Sequence, residues 1–239
     1  MKIKLLLVLM ILPIWIFGQN YSWKKPKGTY GFILGFDLGM RHLSFEENYT
    51  ALKEAQKYYL IDSESALLSF RLGFDYSWFI AEDMYLKTGL RLTNPGYFSQ
   101  QLESLNNKDK LAINQDIGLE KNTTYNHRYF FLELPLAWRM IYQGRNCRSF
   151  IEAGISTQYY ISTNLKAANN PVETIKLREN IFPFYFSGLI GIGAEYDLND
   201  KIPVFIQLVC RYQLNRIDKG HVKEGLISLG IETGTRYYF

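Results

Sequence analysis

Residues 68 to 80 alternate strictly: Leu68, Phe70, Leu72, Phe74, Tyr76, Trp78 and Ile80 fall on one parity, with Ser69, Arg71, Gly73, Asp75 and Ser77 between them. A repeat of two puts successive side chains on opposite faces of an extended chain, so the pattern predicts a strand whose faces meet different surroundings. The same reading gives strands near 29–43, 66–80, 83–95, 127–143, 148–162, 181–197, 201–215 and 222–239. The connections alternate in length: 44–65 long, 81–82 short, 96–126 long, 144–147 short, 163–180 long, 198–200 short and 216–221 medium. Short turns at one end and longer loops at the other are the pattern of a membrane barrel. The expected fold is all-β: an eight-stranded antiparallel up-and-down transmembrane β-barrel with short periplasmic turns and long extracellular loops. A soluble sandwich also has alternating strands, with its polar face in water. Segments of about 13 to 18 residues are long for that architecture and suit tilted barrel strands.

Parity divides the chain into two walls. The outer wall carries Tyr30, Phe32, Leu34, Phe36 and Leu38 on the first strand and Phe130, Leu132, Leu134, Leu136, Trp138 and Tyr142 on the fourth. Tyr30, Trp78, Tyr142, Phe150, Tyr196, Tyr237 and Phe239 gather near the short turns, where they read as an aromatic girdle at headgroup level. The inner wall holds Asp37, Arg41, Arg71, Asp75, Lys87, Arg91, Glu133, Arg139, Glu152, Glu195, Arg211, Glu232 and Arg236, seven cations against six anions. An eight-stranded barrel has room inside for side chains and little else, so these charges are expected to pair into a structural network and not to line a diffusion pore. Glycines of the same parity, among them Gly31, Gly35, Gly73, Gly154, Gly193, Gly230 and Gly234, make room for the long side chains. Pro135 cannot donate a ladder hydrogen bond and predicts a bulge or a local break in pairing on the fourth strand.

Composition agrees: 18 Tyr, 16 Phe and 18 Gly beside 7 Pro fit a β protein. The N-terminus reads as an export signal over 1–19, with Lys2 and Lys4 preceding the apolar run from Leu5 to Phe17 and Gly18 and Gln19 offering a cleavage site. That run is too short to span a membrane. No Cys follows it, so lipid attachment is not indicated. A stub over 20–28, with Lys24, Lys25 and Lys27, leads into the barrel domain, 29–239. Without the signal the formal charge falls from +4 to +2, which argues against a nucleic-acid partner. Of the two cysteines, Cys147 falls in a turn and Cys210 in mid-strand, so both are expected to be free.

The segments Phe131-Leu132-Glu133-Leu134-Pro135-Leu136, Ile151-Glu152-Ala153-Gly154, Gly188 to Tyr196 and Leu229-Gly230 to Phe239 resemble the PorT-like, or porin-family, outer-membrane β-barrel proteins of the Bacteroidota. The resemblance covers most of the chain in order. It implies an integral outer-membrane barrel, whose even strand number puts both termini on the periplasmic side, and makes a secretion or assembly complex a candidate setting. Tyr237 and Phe239 are similar to the terminal signal that such barrels present to the barrel-assembly machinery.

Chemistry is sparse. Gly-rich phosphate loops, Cys-rich metal patterns and paired-His helix motifs are missing from the sequence, so neither a cofactor nor a metal is expected. His42, His127 and His221 fall near the loop ends of strands, and solvated side chains are the simpler reading. His42 and Ser44 lie two apart on one face, in the spacing of a His-x-Ser pair, and with Glu46 or Glu47 they offer a lipid-ester hydrolase alternative. Two polar residues where a strand leaves the membrane are the favoured reading of the pair. Glu133 and Glu152 have the look of a glycosidase pair, but a filled interior leaves no room for a sugar. The expectation is a non-enzymatic structural or interaction barrel, free-standing or an accessory subunit of a larger outer-membrane complex. Its partners are membrane lipid, the assembly machinery and other outer-membrane proteins, and the alternative is a ligand-binding or transport barrel.

Overall fold

The computed structural model describes residues 27–45, 64–81, 83–100, 124–142, 147–167, 182–199, 201–215 and 222–239. The signal segment, nearly all of the stub, the bulk of the long connections, Glu46, Glu47 and His221 lie outside the described residues. Among the described residues there are nine strands: β1 (Gly28–Phe45), β2 (Glu64–Ala81), β3 (Met84–Thr93), β4 (Gly96–Gln100), β5 (Thr124–Tyr142), β6 (Cys147–Ala167), β7 (Phe184–Asp197), β8 (Pro203–Gln213) and β9 (Val222–Tyr238). Each pairs antiparallel with its neighbours, and β1 joins β2 on one edge and β9 on the other, so the sheet closes.

The ring has eight positions because β3 and β4 share one. At Asn94-Pro95 the ladder would lapse for want of a proline N–H, but the Asn94 side chain repairs it. Asn94 N–H donates to the Phe70 carbonyl at 3.2 Å, Phe70 N–H donates to Asn94 Oδ1 at 2.6 Å, and Tyr129 N–H donates to the Pro95 carbonyl at 2.9 Å. The third barrel strand, expected to stop at residue 95, therefore runs on to Gln100, pairing with β2 and β5.

Pro135 produces a break in pairing and no bulge. The β3–β5 register passes from Thr88↔Leu136 to Arg91↔Glu133 without shifting, leaving Gly89 and Leu90 without partners on β5 while both stay paired with β2. The true bulge on β6 lies nearer its loop end, where Phe130 faces Ser162 but Phe131 faces Tyr160, so Ile161 is skipped. Consequently Tyr160 and Thr163, three apart, both point inward. A simple two-residue count fails there, which is why the expected strand ended at 162 and β6 continues to Ala167.

Both described chain ends meet at the short-turn end, with Lys27 N–H on the Phe239 carbonyl at 3.0 Å and Phe239 N–H on that of Gly28 at 3.2 Å. Outward residues from Tyr30 to Met40, Leu68 to Ile80, Met84 to Leu92, Phe130 to Tyr142, Ser149 to Ile161, Phe184 to Tyr196, Val204 to Tyr212 and Ile227 to Tyr237 are all uncharged. Apolar patches on soluble monomers seldom exceed a few hundred Å², and this wall circles the molecule. One girdle assignment is corrected: Phe150 is completely buried inside the barrel, because its even number shares the inward parity of Glu152 on β6.

Candidate functional site

The lumen is filled in three layers. At the short-turn end Ile33, Tyr85, Ile141, Phe150 and Phe205 form an apolar floor. Arg139 lies 4.6 Å over the Phe150 ring and Arg236 lies 3.7 Å over that of Phe205, and the same guanidiniums pair with Glu152 and Glu195.

The middle layer joins twelve of the thirteen inward charges named from sequence. Glu232 is its hub: Arg71 at 3.2 Å, Arg91 at 3.4 Å, Arg211 and the Gln207 amide all converge on it. Arg71 also reaches Asp37 and Glu133, each at 3.1 Å, and Arg211 returns to Asp37 at 3.2 Å. Arg91 holds Asp75 at 2.9 Å, Lys87 links Asp75 to Glu152, and Arg139 holds Glu152 at 2.8 Å. Glu195 gathers Arg139 at 3.5 Å, Arg236 and the Tyr238 hydroxyl, which donates at 2.6 Å. These acids and bases are 0–5% exposed, so each depends on its partners in place of water. Glu133 and Glu152 are each held by cations and do not face one another as a catalytic pair.

Arg148 belongs to this lattice, pairing with Glu195 at 3.6 Å and with Asp197. The signal was available, since Arg148 shares the parity of Glu152 and opens the expected strand 148–162. With Arg148 and Asp197 added, the connected charges number seven of each sign. Arg41 is the thirteenth. It sits higher and pairs with Glu64.

The top layer, at the long-connection end, is aromatic: Tyr97, Tyr129, Phe131, Tyr160, Tyr185 and Leu226. Above Phe131 the rings of Tyr129, Tyr97 and His127 follow one another, with His127 stacked on Tyr97 at 4.6 Å and 10°. Arg41 covers the Tyr97 ring at 4.7 Å, and Ser99 Oγ is 2.8 Å from His127 Nε2. Ser99 and His127 are 28 residues apart in sequence, and register alone brings them together: Tyr97 faces His127, and Ser99 lies two residues further along β4.

His42 does not join them, and His221 lies outside the described residues. His42 points outward, edge-on to Tyr212 at 5.9 Å, whereas the Ser44 side chain lies outside the described residues. Among the described residues no cluster of three or more His, Cys, Asp or Glu is arranged to hold a metal. Cys147 and Cys210 are free, at the start of β6 and within β8.

The class defined by this geometry is a closed, eight-position antiparallel barrel with a lumen of paired charges capped by ring layers. Solved structures share the architecture at low likeness. OprG, an outer membrane protein of Pseudomonas aeruginosa, is 10% identical with a TM-score of 0.47, over 92% of this chain and 99% of that one. The outer membrane protease OmpT of Escherichia coli is 10% identical with a TM-score of 0.45, over 93% and 100%. Neisserial surface protein A is 11% identical with a TM-score of 0.38, over 87% and 97%. Neither a protein-family model nor a curated protein sequence matches this chain.

Proposed function

We propose that the protein is an integral outer-membrane barrel acting as a structural and interaction component, with its short-turn end and both termini in the periplasm. The observation that carries this reading is the uncharged apolar wall around a filled ionic lumen. Lipid solvates such a wall without cost, and a lumen whose twelve middle-layer charges are 0–5% exposed supports a role other than diffusion. Another outer-membrane protein can dock on the same wall. The PorT-like resemblance supports an accessory place in a larger secretion or assembly complex of a bacterium of the Bacteroidota. Tyr237 on β9 and Phe239 just beyond its end, outward and 43% and 46% exposed, are the residues this reading assigns to the barrel-assembly machinery.

The test is extraction from native membranes in mild detergent, followed by identification of what co-purifies. A stable stoichiometric complex with other outer-membrane proteins is expected. A monomer alone would remove the subunit role, and steady single-channel conductance in planar bilayers would replace it with the transport alternative.

A further inference from the structure

We propose that Ser99 and His127 are a nucleophile and general base that hydrolyse a carboxylic ester of an amphiphile at the long-connection mouth. The activity lies above the ionic lattice and is independent of what docks on the wall. Three observations carry it. Ser99 Oγ and His127 Nε2 are 2.8 Å apart, the separation needed for the imidazole to take the hydroxyl proton as the oxygen attacks. The imidazole is held face to face on Tyr97, which fixes the direction of Nε2, so the pair is positioned before a substrate arrives. Ser99 and His127 are half-buried and not sealed, in contrast to the charges below them. Arg41, anchored over Tyr97 and paired with Glu64, brings a fixed positive charge to the same mouth for an anionic substrate group or a developing oxyanion.

The chemistry closes without a further reactant than water. Ser99 Oγ forms a bond to the ester carbonyl carbon as its proton passes to His127 Nε2. The carbon–alkoxy bond breaks, and the alcohol leaves with that proton. Water, giving a proton to His127, then attacks the acyl-Ser99 carbonyl. The bond to Ser99 Oγ breaks, Oγ takes the proton back, and a carboxylic acid departs. The amphiphile is argued from place: the mouth stands where the apolar outer rows give way to Asn126 and Asn164, so a substrate with its tail in lipid presents its head here.

The full chain, refolded in detergent micelles, is treated with a fluorophosphonate, which modifies only an activated serine, and is assayed on p-nitrophenyl esters of increasing chain length. The expected adduct maps to Ser99, and Ser99→Ala abolishes it. His127→Asn slows labelling and ester hydrolysis at least roughly 100-fold while leaving the β-sheet circular dichroism unchanged. Ser44→Ala keeps full labelling. A wild-type chain that folds but takes no label, a label that survives Ser99→Ala, or labelling indifferent to His127→Asn would overturn the proposal.

Discussion

On β9, Leu229, Ile231 and Tyr237 are 60%, 49% and 43% exposed, while Ser228, Glu232 and Arg236 on the same backbone are 6%, 0% and 3% exposed. The outer set is interchangeable in kind, because lipid tails contact any apolar side chain about equally. The inner set is not. Each buried ion has lost several kcal/mol of hydration and is held only by partners of the right sign at the right distance. One strand thus carries a permissive surface and a specified one, and the pleat keeps them apart. The difference teaches that the usual inside and outside of a water-soluble protein are exchanged here, and that the specificity of the fold resides in its polar face.

The comparison is most exposed at Glu232. Glu232→Gln keeps the volume but removes the charge facing Arg71, Arg91 and Arg211, so stability should fall by about 3–5 kcal/mol, as when one partner of a buried pair is lost. Urea titration of the chain folded in lipid vesicles measures it, and Leu229→Met on the opposite face should change little. Equal small effects at both sites would mean that the lumen is as permissive as the wall.

The next effect tests the wall. Ile190 is 58% exposed and six residues above the girdle residue Tyr196, near the middle of the apolar band. Ile190→Arg should cost about 2–4 kcal/mol in a bilayer. A soluble barrel would accept the arginine at that exposed site without loss, so an unchanged unfolding midpoint in vesicles would break the lipid side of the comparison.

Where parity holds, sequence shows these walls directly: Asp37, Arg71 and Glu232 were separable from Phe36, Leu72 and Ile231 by counting in twos. Counting fails at local irregularities. The bulge at Ile161 hid the inward Thr163, and the Asn94 side chain that stitches β3 to β4 has no signature in periodicity. Phe150 was placed by its residue type against its parity, since an aromatic near a short turn serves equally as girdle or floor. The Ser99–His127 pair was out of reach for a different reason. A search for neighbouring polar residues found His42 and Ser44, whereas the pair that meets is set by cross-strand register, which no one-dimensional spacing contains.

Within the lumen, steric fit should matter less than charge but remain measurable. A Cβ added at Gly193 would lie 2.5 Å from both the Phe150 ring and the Ile206 carbonyl, with the Gln207 Cβ at 2.6 Å. Gly193→Ala must displace backbone or the floor ring, and a loss of about 1–3 kcal/mol is expected in the same titration. No loss would mean that the floor under Arg139 and Arg236 is loosely packed and that the lattice stands without it.

The smallest effect belongs to Pro135, where the two walls share a defect. Its missing N–H lies on the β3 side, because the pairing with Ser156 of β6 is intact while Gly89 and Leu90 have no partner on β5. Thr88 Oγ1 donates to the Pro135 carbonyl at 2.9 Å and so satisfies an acceptor beside the gap. Pro135→Ala restores a donor opposite Gly89, a gain of about 0.5–1.5 kcal/mol if the bond forms. It also frees the unfolded chain, a loss of about 0.4–1 kcal/mol. The two nearly cancel, so stability should move by less than about 1 kcal/mol, while amide exchange at Gly89 slows as the ladder closes. A loss above about 2 kcal/mol would show that the break is needed to fit the Glu133 and Arg91 side chains beside it, making Pro135 part of the specified inner face and not a tolerated gap.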